Sequence, residues 1–141
     1  MTMVLFATFA FVTQCLLIAY FLDRLWRPTL ADRFGWVVYA MGVPGALLAF
    51  IFIVDGDDRR WWLGPTLFAV WAAYGLAIDV VLKIQWRTPP RWSVFIPFVV
   101  LYSAAQVMLW IPLWFVHPVL WAVYGVLFVI NTGLNIRGHF A

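Results

Sequence analysis

The stretch from Trp92 to Ile136 constrains this chain most, because its 45 residues include no Lys, Arg, Asp or Glu. As one helix it would be about 68 Å long, more than twice the thickness of a bilayer's hydrocarbon core. The stretch must therefore fold back on itself. Pro112 and Pro118 lie near its middle, and proline removes a backbone donor and disfavours helix at the preceding residue. We predict a turn at residues 116–119.

Three further runs carry few or no charged side chains over the length of one membrane crossing. A helix needs about 20 apolar residues to cross the hydrocarbon core, so each run is expected to form one span. No stretch shows the alternation of about ten residues that a membrane β-strand requires. We therefore predict an all-α polytopic integral membrane protein, a single bundle of five transmembrane helices. Their expected bounds are residues 3–22, 35–54, 61–84, 94–115 and 119–136.

The composition supports this class. Of the 141 residues, 66% are hydrophobic and 11% are charged, whereas a soluble domain has about 25% charged residues. A soluble core of this size cannot bury so much apolar surface, which excludes a soluble enzyme and a disordered chain. Cys15 is the single cysteine, so a disulfide scaffold is excluded. The net charge of +3 indicates basic loops at a membrane surface and no nucleic-acid partner.

The basic residues are divided unevenly between the two ends of the predicted bundle. Seven fall on one side and two on the other, which is the pattern of the positive-inside rule. This predicts an N-out/C-in orientation, and we expect a multi-pass protein of a bacterial or archaeal inner (plasma) membrane. Most of the ten tryptophans fall at predicted span ends, which is typical of an interfacial belt. The seven are Arg24, Arg27, Arg33, Lys83, Arg87, Arg91 and Arg137, and the two are Arg59 and Arg60.

One carboxylate lies inside an apolar span. Asp79 is four residues from Lys83, so the two side chains are expected to share a helix face and to form a pair. A self-neutralising pair and a functional carboxylate are both open, because intramembrane charge is costly and commonly functional.

Further polar residues lie on stripes of the last two helices. Tyr102 and Gln106 share one face of the fourth helix, and Asn131 and Asn135 share one face of the fifth. With Gln14 of the first helix, they are expected either to line a common cavity or to form interhelical hydrogen bonds. Each such bond stabilises a bundle by roughly 1 kcal/mol or less.

Residues 86–102 resemble part of a known family. Trp86-Arg-Thr-Pro-Pro-Arg-Trp92, followed by Phe95, Pro97, Leu101 and Tyr102, is similar to the first loop and second helix of the tryptophan-rich translocator-protein family. Members of that family are five-helix membrane proteins of similar length. Three predicted helices precede the stretch here, where the family has one, so no functional residue is carried over.

The sequence contains none of the common catalytic or metal-binding motifs. It has no Glu, no H-E-x-x-H, no G-x-S-x-G and no phosphate-binding loop. We therefore predict no catalytic residue, no metal and no cofactor.

We expect a small membrane protein that binds or transports a hydrophobic or amphipathic small molecule within the bundle. Its partners would be membrane lipids, this ligand, and either further copies of the chain or a partner membrane subunit. One alternative is an accessory subunit of a larger membrane complex, and another is a small lipid-modifying enzyme with Asp79 as acid or base. The expected ligand contacts are Asp79, Lys83, Asn131, Asn135, Gln106 and Tyr102, with Arg87 and Arg91 at the head group.

Overall fold

The computed structural model describes residues 1–140, and this range is helical apart from short turns and one loop. A π-helical turn, Ala77–Val81, continues the fifth helix, and the loop 82–91 follows it. The helices are α1 (Thr2–Trp26), α2 (Pro28–Phe34), α3 (Trp36–Ala40), α4 (Gly42–Val54), α5 (Arg59–Leu76), α6 (Trp92–Trp110), α7 (Leu113–Val116) and α8 (Pro118–Phe140).

These elements form five segments that are long and apolar enough to cross a membrane, which confirms the predicted all-helical class. Spans 1 to 5 are Thr2–Trp26, Pro28–Val54, Arg59–Val81, Trp92–Val116 and Pro118–Gly138. Span 2 begins earlier than the predicted residue 35, because Pro28 stands at the start of α2, where a missing backbone N–H costs nothing. Span 3 ends before the predicted residue 84. The break between spans 4 and 5 is at His117, which is extended.

Aromatic rings fill the centre of the bundle, where α5 packs between α4 and α6. The buried indole of Trp71 contacts the rings of Tyr39, Phe68, Phe98 and Tyr102, with centroid separations of 5.4–5.6 Å. Tilted ring pairs at such distances add to the stabilisation that burial provides. Trp71 therefore joins spans 2, 3 and 4.

Two hydrogen-bonded side-chain pairs attach span 5 to the rest of the bundle. Asn131 donates to the Gln14 amide oxygen of span 1 at 3.0 Å, and the Tyr124 hydroxyl donates to the Gln106 amide oxygen of span 4 at 2.8 Å. All four side chains are fully buried. These contacts are the interhelical hydrogen bonds that one of the two sequence-based interpretations expected.

Contacts between loops show which segments share an end of the bundle. Thr2 donates to Asp57 at 3.2 Å, so the N-terminus and the turn at residues 55–58 lie together. Asp58 caps α5 by accepting from the Arg60 backbone N–H at 3.0 Å, and its side-chain hydrogen bond with Arg60 lowers the pKa of the exposed Asp58 carboxyl. We call this the acidic end. The opposite, basic end contains α2 and the loop 82–91.

Candidate functional site at the basic end

The carboxylate of Asp79 is the centre of a hydrogen-bonded network at the basic end. Both of its oxygens accept from the Arg87 guanidinium, at 2.9 and 2.8 Å. The Trp86 indole N–H donates at 2.8 Å, and the Tyr39 hydroxyl also donates to it. A bidentate ion pair with two further donors is among the strongest arrangements for a carboxylate.

The expected pairing of Asp79 with Lys83 is wrong. Among residues 1–140, the salt bridge of Asp79 is formed with Arg87. The four-residue spacing places two side chains together only in a continuous α-helix. Here the helix widens into a π turn at Ala77–Val81, with Leu82 N–H bonded to the Ala77 carbonyl at 2.8 Å. Lys83 then has a positive φ of 48°, so the chain has left the helix before it reaches this residue.

Gly75 explains how Tyr39 reaches the carboxylate. Gly75 and Asp79 are four residues apart on span 3, and the Tyr39 ring lies directly over Gly75. A Cβ at residue 75 would clash with Cε1 of the ring and would lie 2.8 Å from Cζ, closer than a real Cβ approaches other atoms. The missing side chain therefore lets the ring pack against the helix at Gly75, with its hydroxyl on Asp79 one turn further on.

The loop supplies the other two donors and holds them against the bundle. Trp86 is fully buried and contacts Phe98 with ring centroids 4.7 Å apart. The Arg87 guanidinium lies over the Trp86 ring at 4.2 Å, which adds a cation–π contact to its ion pair. Burial lowers the pKa of Arg87, but the hydrogen bonds and charge of Asp79 outweigh burial and raise this pKa above its ordinary value.

A cavity of about 610 Å³ opens beside this network. One wall is formed by α2 and the start of α3, and the other by the π turn and the loop 82–88. It is polar and aromatic in character, as its side chains show. They include Tyr20, Asp32, Trp36, Tyr39, Asp79, Val80, Lys83, Gln85, Trp86, Arg87 and Thr88. We call this space the head-group cavity, because Arg87, which the sequence analysis expected at a ligand's head group, lines it.

A second, apolar space lies between spans 2 and 3. This groove of about 420 Å³ is lined by small and aliphatic side chains and by Tyr39. Tyr39 also lines the head-group cavity, so one side chain borders both the polar and the apolar space. We call it the apolar groove, and its other lining residues are Gly42, Val43, Ala46, Leu47, Ala69, Ala72, Ala73 and Leu76.

The residues expected to contact a ligand fall into three groups: those that line a cavity, those buried in the core, and Arg91. Asp79, Lys83 and Arg87 line the head-group cavity, and Asn135 lines a narrow crevice that shares Arg87 with it. Tyr102, Gln106 and Asn131 are buried in the core, away from that cavity. Arg91 is exposed in the loop and is not among the lining residues.

Three residues of the site escaped the sequence analysis: Asp32, Tyr39 and Trp86. Asp32 lies between the first two spans expected from the sequence, and Trp86 lies just beyond the expected end of the third. Tyr39 lies 40 residues before Asp79, and only a folded bundle brings the two together. The signal that was available for Tyr39 was Gly75, a glycine one turn before an intramembrane carboxylate.

No protein-family model, curated protein or solved structure matches this chain. The resemblance of residues 86–102 to one family therefore stays local, and the function must be argued from the site.

Proposed function

We propose that this protein binds a small amphipathic molecule of the membrane, with its polar head in the head-group cavity and its apolar part in the apolar groove. The observation that carries the proposal is the position of Tyr39, which lines both spaces. An amphipathic ligand needs a polar and an apolar site beside each other, and Tyr39 borders one of each in this chain.

The surroundings of the cavity support a site at the level of lipid head groups. Trp26, Trp36 and Trp92 are 74%, 52% and 59% exposed at this end. Exposed tryptophans concentrate where the bilayer meets water, because the ring is apolar and its N–H needs a partner. A ligand head in the cavity would therefore stay in the polar layer, while its chain follows the groove toward the hydrocarbon core.

Selectivity in such a site must come from the head. A hydrocarbon chain that leaves the bilayer for the apolar groove exchanges one apolar environment for another, so it gains little hydrophobic free energy. The hydrogen-bonding and charged groups of the head-group cavity are therefore the expected source of affinity.

The structure supports binding more than the other expected activities. Transport requires a route to the acidic end, and the core between the ends is filled by the buried pairs Gln14–Asn131 and Gln106–Tyr124. Acid–base catalysis by Asp79 requires a free carboxylate, whereas this one accepts four hydrogen bonds. An accessory subunit does not need a cavity of this size. Association with copies or with a partner subunit stays a prediction.

The orientation belongs to the same proposal. The basic end faces the cytoplasm of a bacterial or archaeal plasma membrane, which is the arrangement that the positive-inside rule favours. Single cysteines at positions 57 and 89, in a Cys15→Ser background, test this with a membrane-impermeant thiol reagent on intact cells. We expect labelling at position 57 alone. Labelling at position 89 alone would reverse the orientation.

Blocking the cavity tests the binding function. Val80 lines the head-group cavity, whereas its neighbour Val81 does not and is 70% exposed. Both Val80→Trp and Val81→Trp add the same volume to an exposed site on the π turn. Protein purified in mild detergent is extracted, and the retained small molecules are identified by mass spectrometry. We expect wild type and Val81→Trp to retain an amphipathic molecule that Val80→Trp loses. Equal retention by both folded variants would contradict the proposal.

A further inference from the structure

Two charged side chains of the head-group cavity are available to a ligand. Lys83 and Asp32 both line it, and both are exposed. The salt bridges of the described residues are Arg60–Asp58 and Arg87–Asp79, so neither Lys83 nor Asp32 takes part in one. Lys83 follows the π turn of span 3, and Asp32 belongs to α2.

The remaining charges of the cavity compensate each other. Arg87 and Asp79 form a bidentate ion pair with side chains that are 26% and 14% exposed. Their net charge is zero, and Nη1 and Nη2 of Arg87 each donate to one oxygen of the Asp79 carboxylate. A ligand therefore meets an uncompensated positive charge at Lys83 and an uncompensated negative charge at Asp32, which different elements contribute to the cavity lining.

We propose that the head group of the ligand is a zwitterion that carries a primary ammonium and a phosphate. This inference rests on the proposed binding function and adds the chemical class of the head. The phosphate pairs with Lys83 and the ammonium donates to Asp32, so both charges are compensated. A purely anionic head would leave Asp32 facing a like charge. A quaternary ammonium has no N–H and makes no hydrogen bond to Asp32.

Lipid titration of delipidated protein in detergent tests this inference. The thermal unfolding midpoint is followed with added dioleoyl phosphatidylethanolamine, phosphatidylcholine or phosphatidylglycerol, because a ligand that binds the native state raises the midpoint. The variants are Asp32→Asn and Lys83→Gln. Asp55→Asn and Arg59→Gln make the same charge changes at exposed positions of the acidic end and serve as matched controls.

We expect phosphatidylethanolamine to bind wild type most tightly. Asp32→Asn should lower its preference over phosphatidylglycerol about threefold to fivefold, the factor that corresponds to one exposed ion pair. Lys83→Gln should weaken the binding of both phosphatidylethanolamine and phosphatidylglycerol. The two control variants should leave the binding of both lipids unchanged. Preference of wild type for phosphatidylglycerol, or an unchanged preference in Asp32→Asn, would overturn the zwitterion inference while amphiphile binding stands.

Soluble phosphoethanolamine separates the head chemistry from the proposed function. If phosphatidylethanolamine stabilises the protein far below the concentration at which phosphoethanolamine acts, the result supports both the zwitterion inference and the proposed amphiphile binding. Stabilisation by phosphoethanolamine alone, still dependent on Asp32 and Lys83, supports the zwitterion but contradicts the amphiphile. If none of the four compounds raises the midpoint, the zwitterion inference is overturned. Retention of some other molecule by wild type and not by Val80→Trp would then show that the binding function survives.

Discussion

The bundle contains two sets of polar side chains, and the two sets find their hydrogen-bond partners inside an apolar protein in different ways. In the core, Gln14–Asn131 and Gln106–Tyr124 are neutral, fully buried and formed between helices. At the basic end, Asp79 and Arg87 are charged and partly exposed, and the partner of the helix carboxylate comes from a loop. Neutral pairs can be closed off from water, whereas an ion pair without solvent or further donors would be costly.

This contrast separates side chains that pack the core from side chains of the proposed binding site. The core pairs have no neighbouring space for a ligand to enter among the described cavities, so they serve to attach span 5. The charged set borders a cavity of about 610 Å³, and its aromatic neighbours Tyr39 and Trp86 give that cavity its shape. The following substitutions test whether the two sets of polar side chains also contribute differently to the free energy of unfolding.

The largest effect is expected from stranding one charge of the ion pair. Asp79→Leu leaves the Arg87 guanidinium without its counter-ion, and we expect it to lower the free energy of unfolding by about 3 kcal/mol. The double variant Asp79→Leu with Arg87→Leu should regain part of this loss, because no unpaired charge remains, although Tyr39 and Trp86 still lose their hydrogen bonds to Asp79. Thermal and denaturant unfolding in detergent measure the difference.

Lys83→Leu is the control for that experiment. Lys83 is exposed and outside the salt bridge, so we expect a change within about 0.5 kcal/mol. If Lys83→Leu restored the stability that Asp79→Leu loses, and Arg87→Leu did not, the result would contradict the ion pair between Asp79 and Arg87.

A smaller effect is expected at Gly75, whose missing side chain positions Tyr39. In Gly75→Ala the new methyl group would lie 2.8 Å from Tyr39 Cζ, so the ring must move away from Asp79. Overpacking of this kind costs about 2 kcal/mol. Gly133→Ala is the matched control in span 5, since nothing lies within 4 Å of its Cβ position, and it should be neutral or stabilise by up to about 1 kcal/mol. Equal effects of the two variants would contradict the role of Gly75.

The five spans could be predicted from sequence because membrane crossing depends on local apolar length. The run from Trp92 to Ile136 was too long for one crossing, and Pro118 marked its break. The neutral pairs were also within reach, since buried amides on apolar helices need partners from neighbouring helices. These inferences require composition and spacing alone.

The charged site could not be predicted in the same way. The pairing of Asp79 with Lys83 assumed that the α-helix continues, and propensity gives no warning of the π turn at Ala77–Val81. Arg87 lies eight residues from Asp79, and the loop that returns it to the helix end is fixed by burial of Trp86. Tertiary packing thus decides which cation the carboxylate meets.

The smallest effect is expected in the core, at the hydrogen bond between Gln14 and Asn131. A double-mutant cycle compares wild type with Gln14→Leu, Asn131→Leu and the double variant. Each single change leaves a buried amide without its partner, whereas the double change removes both polar groups. We expect a coupling free energy of about 0.6–1 kcal/mol, as for other hydrogen bonds between membrane helices. It is measured from the unfolding of the four proteins in detergent. A coupling as large as the rescue between Asp79 and Arg87 would erase the energetic difference between the two sets of polar side chains. Ligand retention should be unchanged in all four, because neither amide lines the head-group cavity.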